Sequence, residues 1–183
     1  MTDLEILNAM INDSAKVQLL DNQKSVKLTE PQSSNSSVIV HGLPETTIVI
    51  KADAFRSPDT FFQGTKGECK RADFVIIAEK GDQKVIVCIE LKSKKGSRKE
   101  IVQQLTGAKC MISYCREIGN DFWKESTFLS KHNYRFVSFS HTSNTKNPSR
   151  IKMKSELNDS PEKMLMIQGH RRIQFSQIAA MSK

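Results

Sequence analysis

The sequence predicts an α/β domain built on a central sheet. Three observations carry that expectation. Two segments rich in Val and Ile, Asp73–Ala78 and Lys84–Leu91, are joined by a short polar turn. A long apolar stripe at helical spacing follows them, and after it comes an alternating strand, Tyr134–Ser140. Near-continuous apolar strands next to an amphipathic helix indicate a sheet covered on both faces.

The elements follow in chain order. Residues 3–20 carry apolar positions at Leu4, Leu7, Ile11 and Ala15, which predicts a helix. Ser33-Ser34-Asn35-Ser36-Ser37 reads as a polar linker. Short strands are expected near Val38–Val40 and Thr47–Ile50, with Gly42-Leu43-Pro44-Glu45 turning between them. Residues 52–70 read as irregular. Gly81-Asp82 then closes a hairpin, because Gly at the first central position suits a type II′ turn. Over residues 98–117, Ile101, Leu105, Ala108, Ile112 and Cys115 form one apolar stripe. Ser97 is the expected N-cap of that helix, with Glu100 completing a capping box and Gly119 stopping it. Phe122 and Trp123 are expected in the core. Residues 141–162 form a long polar, basic loop, Lys163–Ile167 a further strand, and Ser176 caps a short last helix ending near Met181. No repeat divides the chain, so residues 1–183 are read as one domain.

Composition narrows the function classes. The chain has 28 Lys and Arg against 20 Asp and Glu, a formal charge of +8 and a pI near 9.4. That balance favours a polyanionic partner. No apolar run reaches the roughly 20 residues of a membrane span, and the acidic start lacks a signal core, so a cytoplasmic protein with no membrane partner is expected. Cys69, Cys88, Cys110 and Cys115 include no CxxC pair and read as reduced, packed thiols. His41, His132, His141 and His170 form no ligand-spaced pair, so zinc is not expected.

The hairpin register defines the candidate site. With Gly81-Asp82 as the loop, Glu79 faces Lys84, Ile77 faces Ile86 and Val75 faces Cys88. On the other face Ala78 meets Val85, Ile76 meets Val87 and Phe74 meets Ile89. The same register sets Asp73 opposite Glu90, with Cβ atoms roughly 4.5–5.5 Å apart. Facing carboxylates repel unless one is protonated or a cation lies between them. Oxygen ligands of this kind suit Mg²⁺ or Mn²⁺. Lys92 shares the face of Glu90, while Leu91 points away and offers its backbone carbonyl as a further metal ligand. Two carboxylates and an ammonium at one strand end suit phosphodiester hydrolysis. Lys92 would orient water, stabilise charge on the phosphate oxygens, or act as a base; the residues leave those roles open.

At these positions the chain resembles the PD-(D/E)XK nuclease superfamily, which includes restriction endonucleases, junction resolvases and repair exonucleases. Ala72-Asp73 and, seventeen residues on, Glu90-Leu91-Lys92 carry the resemblance, with Ala72 where the name has Pro. It covers roughly residues 1–140. It implies a restriction-endonuclease-like fold, a central mixed sheet flanked by helices in the order αβββαβ. It further implies that Asp73 and Glu90 bind the divalent metal and that Lys92 is catalytic. The implied activity is a metal-dependent nuclease, DNA favoured over RNA, leaving 5′-phosphate ends. Some branches carry a Gln followed four residues later by Tyr. Gln103 and Gln104 are present, but Gly107 and Ala108 stand at the Tyr position. Gln104, at the edge of the helical stripe, is a further candidate for the site, with a solvated glutamine as the alternative. An extra carboxylate from the first helix is also frequent in the family, and Glu5 is its candidate. Small stand-alone members often pair as dimers, which makes a second copy of the chain an expected partner.

Phosphate contacts are expected from Lys70 and Arg71 before one strand, and from Lys94, Lys95, Arg98 and Lys99 after the other. The hairpin brings both groups to the carboxylate end. The rival readings are a nucleic-acid-binding module that does not cut, a basic subunit of a nucleoprotein complex, and a ribonuclease on the same scaffold.

Overall fold

A computed structural model describes residues 1–30, 36–93, 96–140, 157–169 and 171–180. The expected strands of the hairpin are β4 (Phe74–Lys80) and β5 (Gln83–Lys92). Every pair from Lys80↔Gln83 to Phe74↔Ile89 has the register derived from the sequence. Gly81 has φ +57, as the first central residue of a type II′ turn requires.

These strands form the middle of a five-stranded sheet ordered β3-β4-β5-β6-β7, with β3 at Thr46–Lys51, β6 at Asn133–Ser140 and β7 at Leu165–Gln168. Pairs β3/β4 and β4/β5 are antiparallel, and β5/β6 and β6/β7 are parallel, so the sheet is mixed. The crossover between β5 and β6 is α2 (Arg98–Phe122). A smaller sheet holds β1 (Ser25–Thr29), β2 (Ser37–His41) and β8 (Arg172–Gln174) in the order β1-β2-β8. The chain is therefore α/β. Helix α1 (Asp3–Met10), strands β3 to β5, α2 and β6 follow one another as helix, three strands, helix, strand, and β1 and β2 lie between α1 and β3.

Side-chain alternation divides the interior into two layers. Phe74, Ile76, Ala78, Val87, Ile89 and Leu91 pack toward Val26, Leu28, Val38 and Val40 of the small sheet and toward α3 (Phe175–Ala179). Val75, Ile77, Ile86 and Cys88 pack toward α1 and the stripe of Ile101, Leu105, Ala108 and Ile112 on α2. Burial on both faces explains why β4 and β5 read as unbroken apolar runs. Truncating Ile76 or Ile86, both fully buried, to Ala should cost about 2–5 kcal/mol.

Several expectations are corrected. The first helix stops at Met10, with Ile11 extended. The Asn12 side chain accepts from Ser14 N–H and nucleates a 3-10 turn over Asp13–Ala15 instead. Strands β1 and β8 carry no sequence signal of the expected kind. β1 follows three consecutive residues with positive φ, Asp21, Asn22 and Gln23. β2 and β3 belong to different sheets. Helix α2 runs through Gly119 to Phe122, and Gly119 serves packing: a Cβ there would lie 2.1 Å from Phe128 Cδ1. Phe122 and Trp123 are exposed, because they sit past the buried stripe at the helix end. The strand expected from Lys163, β7, begins at Leu165, after a 3-10 turn at Pro161–Lys163. Gln174, not Ser176, caps the final helix. Ser97 and Glu100 start α2 as expected, with the Ser97 hydroxyl accepting from Glu100 N–H. Of the long basic loop, residues 141–156 lie outside the described residues, and Asn158 is buried, donating to the Phe136 and Ile178 carbonyls.

No helix among the described residues is long and apolar enough to cross a membrane. All four cysteines are free: Cys88 and Cys115 are buried, Cys69 is half-buried and Cys110 is exposed.

Candidate active site

The start of β4, the ends of β5 and β6 and the first turns of α2 lie at one end of the large sheet. In α/β sheets that end of the parallel strands is where ligands bind. Asp73 immediately precedes β4, and its Oδ2 accepts a hydrogen bond from Leu91 N–H at 2.7 Å. The N–H and C=O of one strand residue point to the same side. The Leu91 carbonyl is therefore directed to the same edge as Asp73, although its side chain is buried in the opposite layer.

Glu90 is 1% exposed. Its Oε1 accepts from Lys92 Nζ at 2.9 Å, and its Oε2 is buried with no hydrogen-bond partner among the described residues. Ser138 of β6 is buried directly alongside Glu90 in the parallel register. Gln104 on α2 also has a buried side-chain oxygen, Oε1, without a partner among the described residues.

The electrostatics follow from burial. Desolvation pushes the Glu90 carboxyl well above its ordinary range, the Asp73 charge pushes it further, and Lys92 and the Asp73 amide draw it back only partly. Desolvation also raises Asp73, against the Leu91 amide and Lys92, while Asp53 and Glu30 add to the rise. For Lys92, burial alone would lower the pKa. Its bond to Glu90 and the charges of Glu90, Glu100 and Asp73 outweigh burial, and the net shift is upward. A buried and a half-buried carboxyl that resist ionisation, the first with an oxygen that has no partner among the described residues, together with the amide oxygen of Gln104, are a donor set that fits a hard divalent cation.

The flanking loop is held against α2. Gln103 Nε2 donates to the Lys66 carbonyl at 2.9 Å. A Cβ on Gly107 would lie 1.7 Å from the Lys70 carbonyl oxygen. The Lys70–Arg71 backbone thus crosses the helix where the resembling branch would carry Tyr, and a side chain there has no room. Lys70 pairs with Glu100 at 3.5 Å. Arg71 donates to the Cys69 carbonyl at 3.3 Å and keeps a buried Nε without a partner among the described residues.

The remaining expected residues separate into groups. Lys99 is exposed on the first turn of α2. Arg98 is turned toward β7, donating to the Glu162 carbonyl and contacting Met166 Sδ at 3.4 Å, so it braces the helix start. Lys94 and Lys95 lie outside the described residues. Glu5 does not reach this site: its carboxylate accepts from Thr2 N–H at 2.7 Å and caps α1. Exposed aromatics were not anticipated from the sequence. Phe61 is 82% exposed and Tyr114 56% exposed, and Tyr114 lies 6.0 Å from Phe55, ring centre to ring centre. Comparison with family models, with curated proteins and with solved structures gave no match to this chain.

Proposed function

We propose that this protein is a metal-dependent nuclease that hydrolyses phosphodiester bonds of nucleic acid, DNA in preference to RNA. The observation that carries the reading is the buried Glu90, with one oxygen on Lys92 and the other unpartnered among the described residues, beside Asp73 at the end of β5. The order of α1, β3 to β5, α2 and β6, with β4 antiparallel and β6 parallel to β5, supports a restriction-endonuclease-like fold. The net charge of +8 supports a polyanionic substrate.

Asp73, Glu90 and the Leu91 carbonyl would hold Mg²⁺ or Mn²⁺. When bound, such an ion polarises the scissile phosphate and acidifies water. Asp73 is oriented by the Leu91 amide, and Glu90 by Lys92. Lys92 stays an ammonium because carboxylates surround it, which supports a charge-stabilising role over a base. Gln104 would offer its amide oxygen to the ion or to the attacking water. Water adds to phosphorus, the bond to the 3′-oxygen breaks, and the proton ends on that oxygen, leaving 5′-phosphate and 3′-hydroxyl ends.

The test is cleavage of labelled single-stranded, double-stranded and branched DNA, and of RNA, in Mg²⁺, Mn²⁺ and EDTA. Folded Glu90→Ala and Lys92→Ala proteins run in parallel. Metal-dependent cutting that is lost in both variants is the expected result. Binding without cutting, equal in wild type and variants, would replace the proposal with a nucleic-acid-binding module.

A further inference from the structure

At the other end of β4, about 20 Å from Asp73 by strand rise, three distant parts of the chain meet. Asp3 comes from the first turn of α1, Glu79 from the end of β4, and His132 from the residue before β6. One ligand atom from each lies within 4.8 Å of the others. His132 is 5% exposed, and neither ring nitrogen has a hydrogen-bond partner among the described residues. Glu79 Oε1 nevertheless lies 3.2 Å from Nε2, and Asp3 Oδ2 lies 3.7 Å from Nδ1. A buried imidazole without hydrogen bonds is costly. Its contact with Glu79 has the length of a ligand-to-ligand edge: donors about 2.0–2.1 Å from a tetrahedral Zn²⁺ lie roughly 3.3 Å apart.

The carboxylates already attract a cation. Lys84 Nζ lies 2.9 Å from Glu79 Oε1 and 3.9 Å from Asp3 Oδ2. Its side chain is 26% exposed and has a path to solvent. Arg116 is committed elsewhere, to the Leu129 carbonyl at 3.0 Å. Asp3 is oriented by Leu129 N–H at 3.3 Å.

We propose that Asp3, Glu79 and His132 form a structural zinc site that joins α1, the β4–β5 hairpin and the start of β6, with Lys84 as the ammonium that Zn²⁺ displaces. One imidazole nitrogen and two carboxylate oxygens suit a borderline cation better than Mg²⁺. Water completes the tetrahedron. This site is independent of the proposed nuclease activity.

The test is thermal unfolding of the full chain carrying Glu90→Gln, so that a cation in the candidate active site adds little. Zn²⁺ should raise Tm with concentration, by about 5 °C or more near saturation. Mg²⁺ should leave it unchanged. Adding Lys84→Gln should lower the Zn²⁺ concentration needed, because the ammonium no longer competes. Adding Glu79→Gln should abolish the rise. Co²⁺ in place of Zn²⁺ should give a visible absorption band that is lost with Glu79→Gln or His132→Gln; should His132→Gln fail to fold, Glu79→Gln decides alone. Absence of a Zn²⁺ effect while Lys84 is intact overturns the site and leaves Lys84 as its resident cation. An equal rise in Glu79→Gln overturns it in favour of zinc bound elsewhere.

Discussion

At the scale of single residues, Glu90 decides most. Its folded carboxyl is raised to about 8 from 4.5, by burial first and by Asp73 second. The folded chain therefore keeps a proton that the unfolded chain releases. Between pH 4.5 and about 8 the unfolded state binds fewer protons, so the metal-free protein loses stability as pH rises through that window. Glu90→Gln should flatten this slope and raise Tm at pH 8 by about 3–6 °C, or about 1–2 kcal/mol, and, under the nuclease reading, abolish cleavage. Thermal scans in EDTA from pH 4 to 9 check the first part and the cleavage assay the second. The opposed Asp73 and Glu90 were legible from the hairpin register alone, because parity and turn length are local properties. The Glu90 oxygen without a partner among the described residues, the neighbouring Ser138 and the true role of Glu5 were not, because they depend on β6 and on the start of α1.

At the scale of elements, α2 is shaped by two glycines that do different work from the one expected. Gly119 lets Phe128 lie against the helix, so Gly119→Ala should destabilise by about 1–3 kcal/mol through overpacking. Chemical denaturation checks this, and the gain in helix propensity is too small to offset it. Gly107 lets the Lys70–Arg71 backbone cross the helix. Gly107→Ala should push that segment away and, under the nuclease reading, slow cleavage more than it weakens metal-independent binding, since Asp73 follows directly. Single-turnover rates beside binding isotherms separate the two effects. The sequence showed α2's stripe and its N-terminal cap. It did not show where α2 ends, because a glycine that stops a helix and one that accepts a neighbouring ring look alike before the neighbour is placed.

At the scale of the whole molecule, charge and topology act together. Under the nuclease reading, a net charge of +8 with Lys70, Arg71 and Lys99 at the carboxylate end should make binding to DNA strongly salt-dependent. A footprint of four to six phosphates would weaken it roughly 10²- to 10³-fold between 50 and 200 mM salt. Fluorescence anisotropy across that range in EDTA measures the slope, and a flat response would remove the phosphate-contact reading. Arg98, turned toward β7, should contribute less to the slope than Lys99, which single Ala variants would report.

By itself the sequence determined the α/β class, the β4–β5 hairpin with its register, the apolar face of α2 and the meeting of Asp73 with Glu90. Each of these rests on periodicity, turn chemistry or strand parity, which act over a few residues. Only the tertiary structure decided the second sheet, since β8 joins β2 from far along the chain. It also decided that Arg98 braces α2 and that Asp3, Glu79 and His132 come together around Lys84. Those contacts link positions separated by tens of residues. They exist because two packed layers bring the ends of distant elements to the same edge, which no local pattern encodes.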